Sequence, residues 1–436
     1  MELFFKRPAA ILLFIGLVLL LVARGIVPAF SKMDTDFPNY FTAAKIVADG
    51  GDTDRLYDTP WFQEQMRRYR IGSASEGAFK PFPPPTALLL IPLTRFEPLN
   101  ALRVMTAVSV LCLLCSIVLL ARILSWSLPD SGALILLSGY AVLNTLRLGQ
   151  PYILVSLSCI LGYYAHLERR PLLAGICFGL FTPIKYFPIV ILVYFAFRKE
   201  WKIVLGGAIA IAIVSAVSIG VLGWKIHEDY LASVLGNHLI AKLDMQNPFT
   251  ASYQSFDSLY RRLFIFDATL NPRPLWALPR LYGVGLVITK VSILLATIAT
   301  LVKLARSGAA GTTGLSIGIL GIFTLLLAPA TATYHMVLLW LPVGLVINAF
   351  LRESAPLHAY FVLAAYSLIG FFPYGHAFRF EGRGGLTVLA YPRLLLLLAI
   401  FMACVHFIWN RTQPNGAART RELPRFFDGK SLNDAS

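Results

Sequence analysis

A chain of 436 residues that is 57% hydrophobic and only 14% charged is not an ordinary soluble domain, in which roughly a quarter of the residues are charged. With a mean hydropathy of +0.68 and recurring apolar runs of about 20 residues, each able to cross a hydrocarbon core of roughly 30 Å, it reads as an all-α polytopic membrane protein. The net charge of +15 is accounted for by loop cations that orient helices and meet anionic headgroups, so no nucleic-acid partner is expected. The roughly ten-residue alternating strands of an outer-membrane barrel are absent.

Lys6 and Arg7 precede an apolar run over 8–27. The run is long, lacks a convincing small-residue cleavage site and is followed by many more spans, so it reads as a first transmembrane helix rather than a cleaved leader. The positive-inside rule puts its N-terminus inside and Asp34 and Asp36 outside. Two carboxylates at the mouth of a membrane helix are costly unless water or a cation meets them. They open a first outer loop over 31–100, long enough to have short helices and a function of its own. Stretches 43–48 and 61–70 are expected to lie along the interface. Phe82-Pro83-Pro84-Pro85 forces an extended turn, and 87–93 is too short to span.

Helices are expected over 101–124, over 132–146 and, after the tight turn Gly149-Gln150-Pro151, up to residue 164. Segment 172–197 is interrupted by Pro183, Lys185 and Pro188. As one helix it would put Arg198, Lys199 and Lys202 outside; as two half-length helices meeting near Lys185 it keeps them inside. The second reading is adopted, because broken spans are tolerated where they line a cavity. A helix over 204–222 leads to a second large outer loop over 223–280. Further spans are expected over 281–304, 314–327, 334–350, 358–374 and 386–409. The total is about 12 spans with both termini inside, counted by length and apolarity. Residues 1–409 then form one transmembrane domain, and 410–436 a polar, disordered cytoplasmic tail. No internal repeat is visible.

This topology gathers the unusual polar residues on one side: Asp34, Asp36, Gln150, Lys185, Tyr186, Asp244, Gln246, Asn247, Ser255, Arg261, Arg262, the turn 329–335 with His335, and 376–383. Arginine forks and lysine point charges suit a phosphate-bearing substrate, and a neighbouring carboxylate suits a general base on a hydroxyl. Plainer roles compete for each. Asp36 can solvate a helix end, Lys185 can snorkel, His335 can be a packing residue, and Arg261-Arg262 can meet headgroups. Trp61, Trp224 and Trp276 fit an aromatic belt. All five cysteines sit in apolar runs, so Cys112-Leu-Leu-Cys115 reads as helix packing. No zinc spacing, phosphate loop or Ser-His-Asp order is visible, and no metal or cofactor is expected.

In order along the chain, Asp36-Phe37-Pro38-Asn39-Tyr40, Ala43-Ala44, Gly50 and Leu56-Tyr57-Asp58 resemble the first outer loop of glycosyltransferase family 87. Its members are polytopic GT-C enzymes that use polyprenyl-phosphate mannose or related donors. Phe82-Pro83-Pro84 followed by 87–93 is similar to that family's Tyr-Pro-Pro and Ala-Leu-Leu pattern. Gly149-Gln150 resembles its Gly-Gln-x-Asn turn, Ala174-Gly175 with Lys185 and Pro188 its helix pair, and Ala328-Pro329 with Tyr334-His335 its Ser-Pro…His turn. Phe82 departs from the usual Tyr, Tyr152 from Asn, and Ala328 from Ser.

The resemblance implies a GT-C fold with its active site facing the extracytoplasmic side of a bacterial plasma membrane. It implies transfer of a sugar, mannose above others, from a polyprenyl-phosphate donor to a hydroxyl of a lipid-linked or cell-envelope glycan. Asp36 would be the base and Asp34 its backup or neighbour. Lys185, His335 and Arg262 would stabilise the departing phosphate, with Arg261, Tyr40, Gln150 and Tyr186 around the substrate. Membrane lipids are the remaining partners. The rivals are a transporter or flippase for a polyprenyl-linked glycan, which would use the same cations without making a bond, and a structural or assembly subunit.

Overall fold

The computed structural model describes residues 7–34, 36–71, 77–239, 247–307 and 311–410. The tail beyond residue 410, Lys6, Asp244 and Gln246 lie outside them. Among the described residues there is no strand, only one isolated bridge between Asp267 and Asn271. Six helices are long and apolar enough to cross a membrane: Pro8–Ser31, Pro98–Leu124, Trp201–Leu222, Pro279–Ser307, Thr333–Arg352 and Pro392–Asn410. A seventh span is counted if Pro356–Phe371 and Tyr374–Phe380, bent by 81°, form one. Thr333–Arg352 is central, with 72% of its apolar window buried; Pro279–Ser307, at 17%, is peripheral and turns Leu, Val and Ile outward.

The observed long spans are fewer than the 12 or so expected because several expected spans are short. Tyr152–Leu167, Pro171–Leu180 and Thr312–Leu327 have 10 to 17 residues, and at 1.5 Å per residue they fall short of a roughly 30 Å core. The helix expected over 132–146 is in fact two, Leu128–Leu136 and Tyr140–Arg147. Gly139 between them has φ +53°, and a Cβ there would lie 2.4 Å from the carbonyl oxygen of Gly370. The break thus serves a backbone-to-backbone approach that only glycine permits.

Segment 172–197 is broken as expected, into Pro171–Leu180 and Ile189–Phe197 with Lys185 in the turn between them. Pro171–Leu180 packs tightly on Trp201–Leu222 through glycines. A Cβ on Gly175 would lie 1.9 Å from Ile203 O, and one on Gly179 2.4 Å from Gly207 O. Small residues four apart let membrane helices meet at the backbone. Gly175→Val is therefore expected to wedge the pair apart and cost about 1–3 kcal/mol or more, the range of overpacking. Thermal unfolding of the purified protein in detergent tests this; an unchanged midpoint would show that the contact carries no stability.

The segment expected to form the first outer loop is built differently from expectation. The helix expected over 43–48 begins at Asp36 and runs to Ala48, and nearly all of Phe37–Ala44 is buried rather than lying on a surface. Pro38 sits in its first turn, where a missing N–H costs nothing. Asn39 Oδ1 accepts from Ala78 N at 3.2 Å and the Tyr57 hydroxyl donates to Phe82 O at 2.6 Å, tying the 77–83 stretch to this helix and to the loop that follows it. Pro83 is extended, and the remaining prolines start a short 3₁₀ helix, Pro84–Leu88.

Candidate active site

The buried end of the Asp36–Ala48 helix opens on a cavity of about 710 Å³. Asp36, Asn39, Phe82, Tyr152, Lys185, Tyr186, His238, Tyr253, Tyr334 and His335 supply most of its polar and aromatic wall; Ile184, Leu325, Leu327 and Leu338 supply aliphatic surface. Asp36 occupies the first turn of its helix, where the positive end of the helix dipole favours a carboxylate.

Gln150 fixes that carboxylate. The Tyr140–Arg147 helix ends in a Schellman turn: Gly149 N donates to Leu146 O and Gln150 N to Thr145 O. Gly149 has φ +61°, and a Cβ on it would lie 2.5 Å from the Phe37 ring. The glycine therefore both closes the helix and lets the turn press against the start of the Asp36–Ala48 helix. Gln150, buried, then donates from Nε2 to Asp36 Oδ2 at 2.7 Å and accepts from the Tyr40 hydroxyl at 2.7 Å. The same hydroxyl accepts from Lys185 Nζ at 3.4 Å. All three bonds point their donors toward the carboxylate, so each polarises the next.

Lys185 lies in its turn among three rings, with Nζ 4.9 Å from the Tyr152 centroid, 5.1 Å from Phe82 and 5.7 Å from Tyr40. Ring faces hold a cation without neutralising it. Burial pushes the ammonium down to about 8, with the Asp36 charge opposing. The Asp36 carboxyl is held above its ordinary value by burial, offset by the Gln150 donation and the Lys185 charge and reinforced by Asp34. A base with raised affinity for a proton and a cation that keeps its charge near neutrality share one cavity wall.

A family model for glycosyltransferase family 87 matches residues 81–329, more than half of the chain. The chain belongs to glycosyltransferase family 87. It is a membrane glycosyltransferase. No curated protein matches it. The matched residues include Gln150, Lys185 and Pro329 but begin after Asp36.

The structure of this family 87 enzyme separates the residues singled out from its sequence. Asp36, Lys185, Tyr186 and His335 line the cavity, and Tyr40 and Gln150 stand behind its wall. His335 Nδ1 accepts from Ala332 N at 2.9 Å, so a neutral ring keeps its proton on Nε2 as a donor; Tyr152 and Tyr334 meet that ring edge-on at 4.8 Å. Tyr186 bonds His238 at 2.7 Å.

Asp34 is not in the cavity wall. Arg147 Nη2 donates to its Oδ2 at 2.8 Å and Lys32 lies 3.3 Å from Oδ1. Arg261 and Arg262 are also elsewhere. The Arg262 guanidinium is buried and taken up by Glu381 at 2.9 Å, Leu270 O at 2.8 Å and Phe249 O. Arg261 stacks on Tyr282 at 4.9 Å and donates to its hydroxyl. Arg262 ties 249 and 270 to 381, and Arg261 ties its helix to Tyr282 on Pro279–Ser307. Ser255 caps the Phe256–Phe264 helix and donates to Pro329 O at 2.7 Å, and Asn247 Oδ1 accepts from Phe249 N.

Sequence reasoning passed over Arg147, His238 and Tyr253, and it noticed Tyr152 only as a departure from the family pattern. Arg147 carried a usable signal, a cation closing an apolar run two residues before the Gly-Gln turn. His238 and Tyr253 carried none, since each is a lone residue in a long loop with no spacing or neighbour that points to a site.

Proposed function

We propose that this glycosyltransferase inverts the anomeric centre of a polyprenyl-phosphate sugar, mannose above others, and delivers the sugar to a hydroxyl of a lipid-linked or cell-envelope glycan. The site would face the extracytoplasmic side of a bacterial plasma membrane. One observation carries the reading: Asp36 and Lys185 line the same cavity, whose wall is both aliphatic and polar. A polyprenyl phosphodiester needs that mixture, apolar surface for the first isoprene units and a cation for the phosphate.

In this reading the acceptor oxygen attacks C1 as its proton passes to Asp36. The C1–oxygen bond to phosphate breaks, and its electron pair leaves with the phosphate beside Lys185 and His335 Nε2–H. The transition state is oxocarbenium-like. A phosphate is a good leaving group, so no side chain need protonate it.

Two groups in opposite protonation states give a bell-shaped pH profile. Transfer needs Asp36 ionised, so it falls as pH drops through a carboxyl affinity raised above the ordinary 3.8. It needs Lys185 charged, so kcat/KM falls as pH rises through about 8. In the donor complex the phosphodiester charge raises the lysine, so the alkaline limb of kcat should lie above that of kcat/KM. A single flat profile across this range would remove Lys185 from the step.

The reading is tested with purified protein in liposomes, labelled polyprenyl-phosphate mannose and a membrane glycolipid extract. Transfer from the lipid-linked donor but not from a nucleotide sugar is expected. Transfer from the nucleotide sugar would overturn the donor assignment, and movement of donor across the bilayer without transfer would favour a flippase.

A further inference from the structure

Asp36 has a second face. It also lines a more open pocket of about 420 Å³, and Tyr253 and Tyr334 are the other residues that belong to both walls. The rest of this lining differs in kind from the large cavity: Asn144, Asn247, Thr250, Ser252 and Thr333 offer amides and hydroxyls. Among the described lining residues, Asp36 is the only acid and none is a lysine, arginine or histidine. The side chains of Asn144, Ser252 and Thr333 have no hydrogen-bond partner among the described residues, whereas Asn247 and Thr250 accept from backbone N–H groups nearby.

We propose that this pocket is the acceptor subsite and that it takes an uncharged glycan. The inference rests on the donor reading of the large cavity and adds to it the acceptor's place and chemical class. An inverting displacement brings the nucleophile to the face of the sugar opposite the leaving group. Lys185 lines the large cavity and not the polar pocket, which assigns the phosphate to the former; Asp36 lines both and so stands at their junction. Amides and hydroxyls that both donate and accept match the hydroxyls of a sugar, and the Tyr253 and Tyr334 rings offer flat surface to its C–H faces. A phosphorylated or uronic acceptor would bring a negative charge beside the Asp36 carboxylate with no cation in the wall to offset it, which costs binding.

The test uses membrane glycolipids of the source cells, with labelled polyprenyl-phosphate mannose as donor. They are sorted by the charge of the glycan itself and not of the lipid linkage, into a pool with neutral glycans and an acidic pool with phosphorylated or uronic glycans. Wild-type protein is expected to glycosylate the neutral pool. Asn144→Leu and the near-isosteric Thr333→Val should each raise the neutral-pool concentration for half-maximal transfer, by about tenfold where a sugar hydrogen bond is lost. The donor concentration for half-maximal transfer should stay within about twofold, as expected when only acceptor binding is lost. Acceptor activity confined to the acidic pool would overturn the proposal. So would wild-type acceptor saturation in both variants, or donor and acceptor saturation weakened together. Failure of the donor reading is seen separately, as no transfer by the wild type to either pool, and that result sinks both.

Discussion

Asp36→Asn should abolish most sugar transfer while leaving the fold intact. Removing a positioned general base costs about 100- to 10,000-fold, and no other carboxylate lines the large cavity among the described residues. Asparagine has the same shape and its carbonyl can still accept from Gln150 Nε2, which donates to Asp36 now. The change removes one buried charge but also the charge that opposes the burial of Lys185, so thermal stability should change little. Donor binding should survive wherever Lys185 stays charged, a pH range that loss of the Asp36 charge moves down. Transfer above about a tenth of wild type would lie outside the general-base range and would remove Asp36 from the chemistry. Asp34 would then be a poor successor, since Arg147 and Lys32 already hold it.

Lys185→Met is expected to have the next largest effect. Methionine fills a similar length among the Tyr40, Phe82 and Tyr152 rings but carries no charge to meet the departing phosphate. The loss of one preorganised electrostatic contact to a developing anion costs about 100- to 1,000-fold in kcat, and the donor KM should rise as well. Lys185→Arg gives the complementary result. A guanidinium stays charged throughout the accessible range, so whatever activity it retains should lack the alkaline limb near 8 expected of the lysine. A Lys185→Met protein with wild-type kcat and donor KM would show that the cation only packs among the rings.

The parts of this site legible in the sequence were those where one residue is costly in its own neighbourhood. A carboxylate just beyond an apolar run, as at Asp36, and a lysine between prolines in a broken span, as at Lys185, must each be met by something. The Gly149-Gln150 turn was legible as a turn. What the amide does there was not, because its partners Asp36 and Tyr40 are 114 and 110 residues away. The two arginines show the converse. Arg262 looked available for phosphate because Glu381, which takes it, is 119 residues further on. Gly139 looked like an ordinary glycine in an apolar run until Gly370 came within reach of it. Family resemblance supplied the order of the motifs; the folded chain shows which of them face one another.

Gln150 has one more consequence, which follows from what an amide cannot do. It sits between Tyr40 and Asp36 as donor to one and acceptor to the other, but it has no proton that it readily gives up. The line from Lys185 to Asp36 therefore conveys polarisation and does not conduct protons. A proton taken from the acceptor cannot drain through that line to the lysine, nor can the ammonium's proton reach the base and quench it. The base and the cation feel each other's field and yet keep separate proton accounts. In the proposed mechanism Asp36 must then discharge through the open side of the site, and water that enters there would reset it for another turnover.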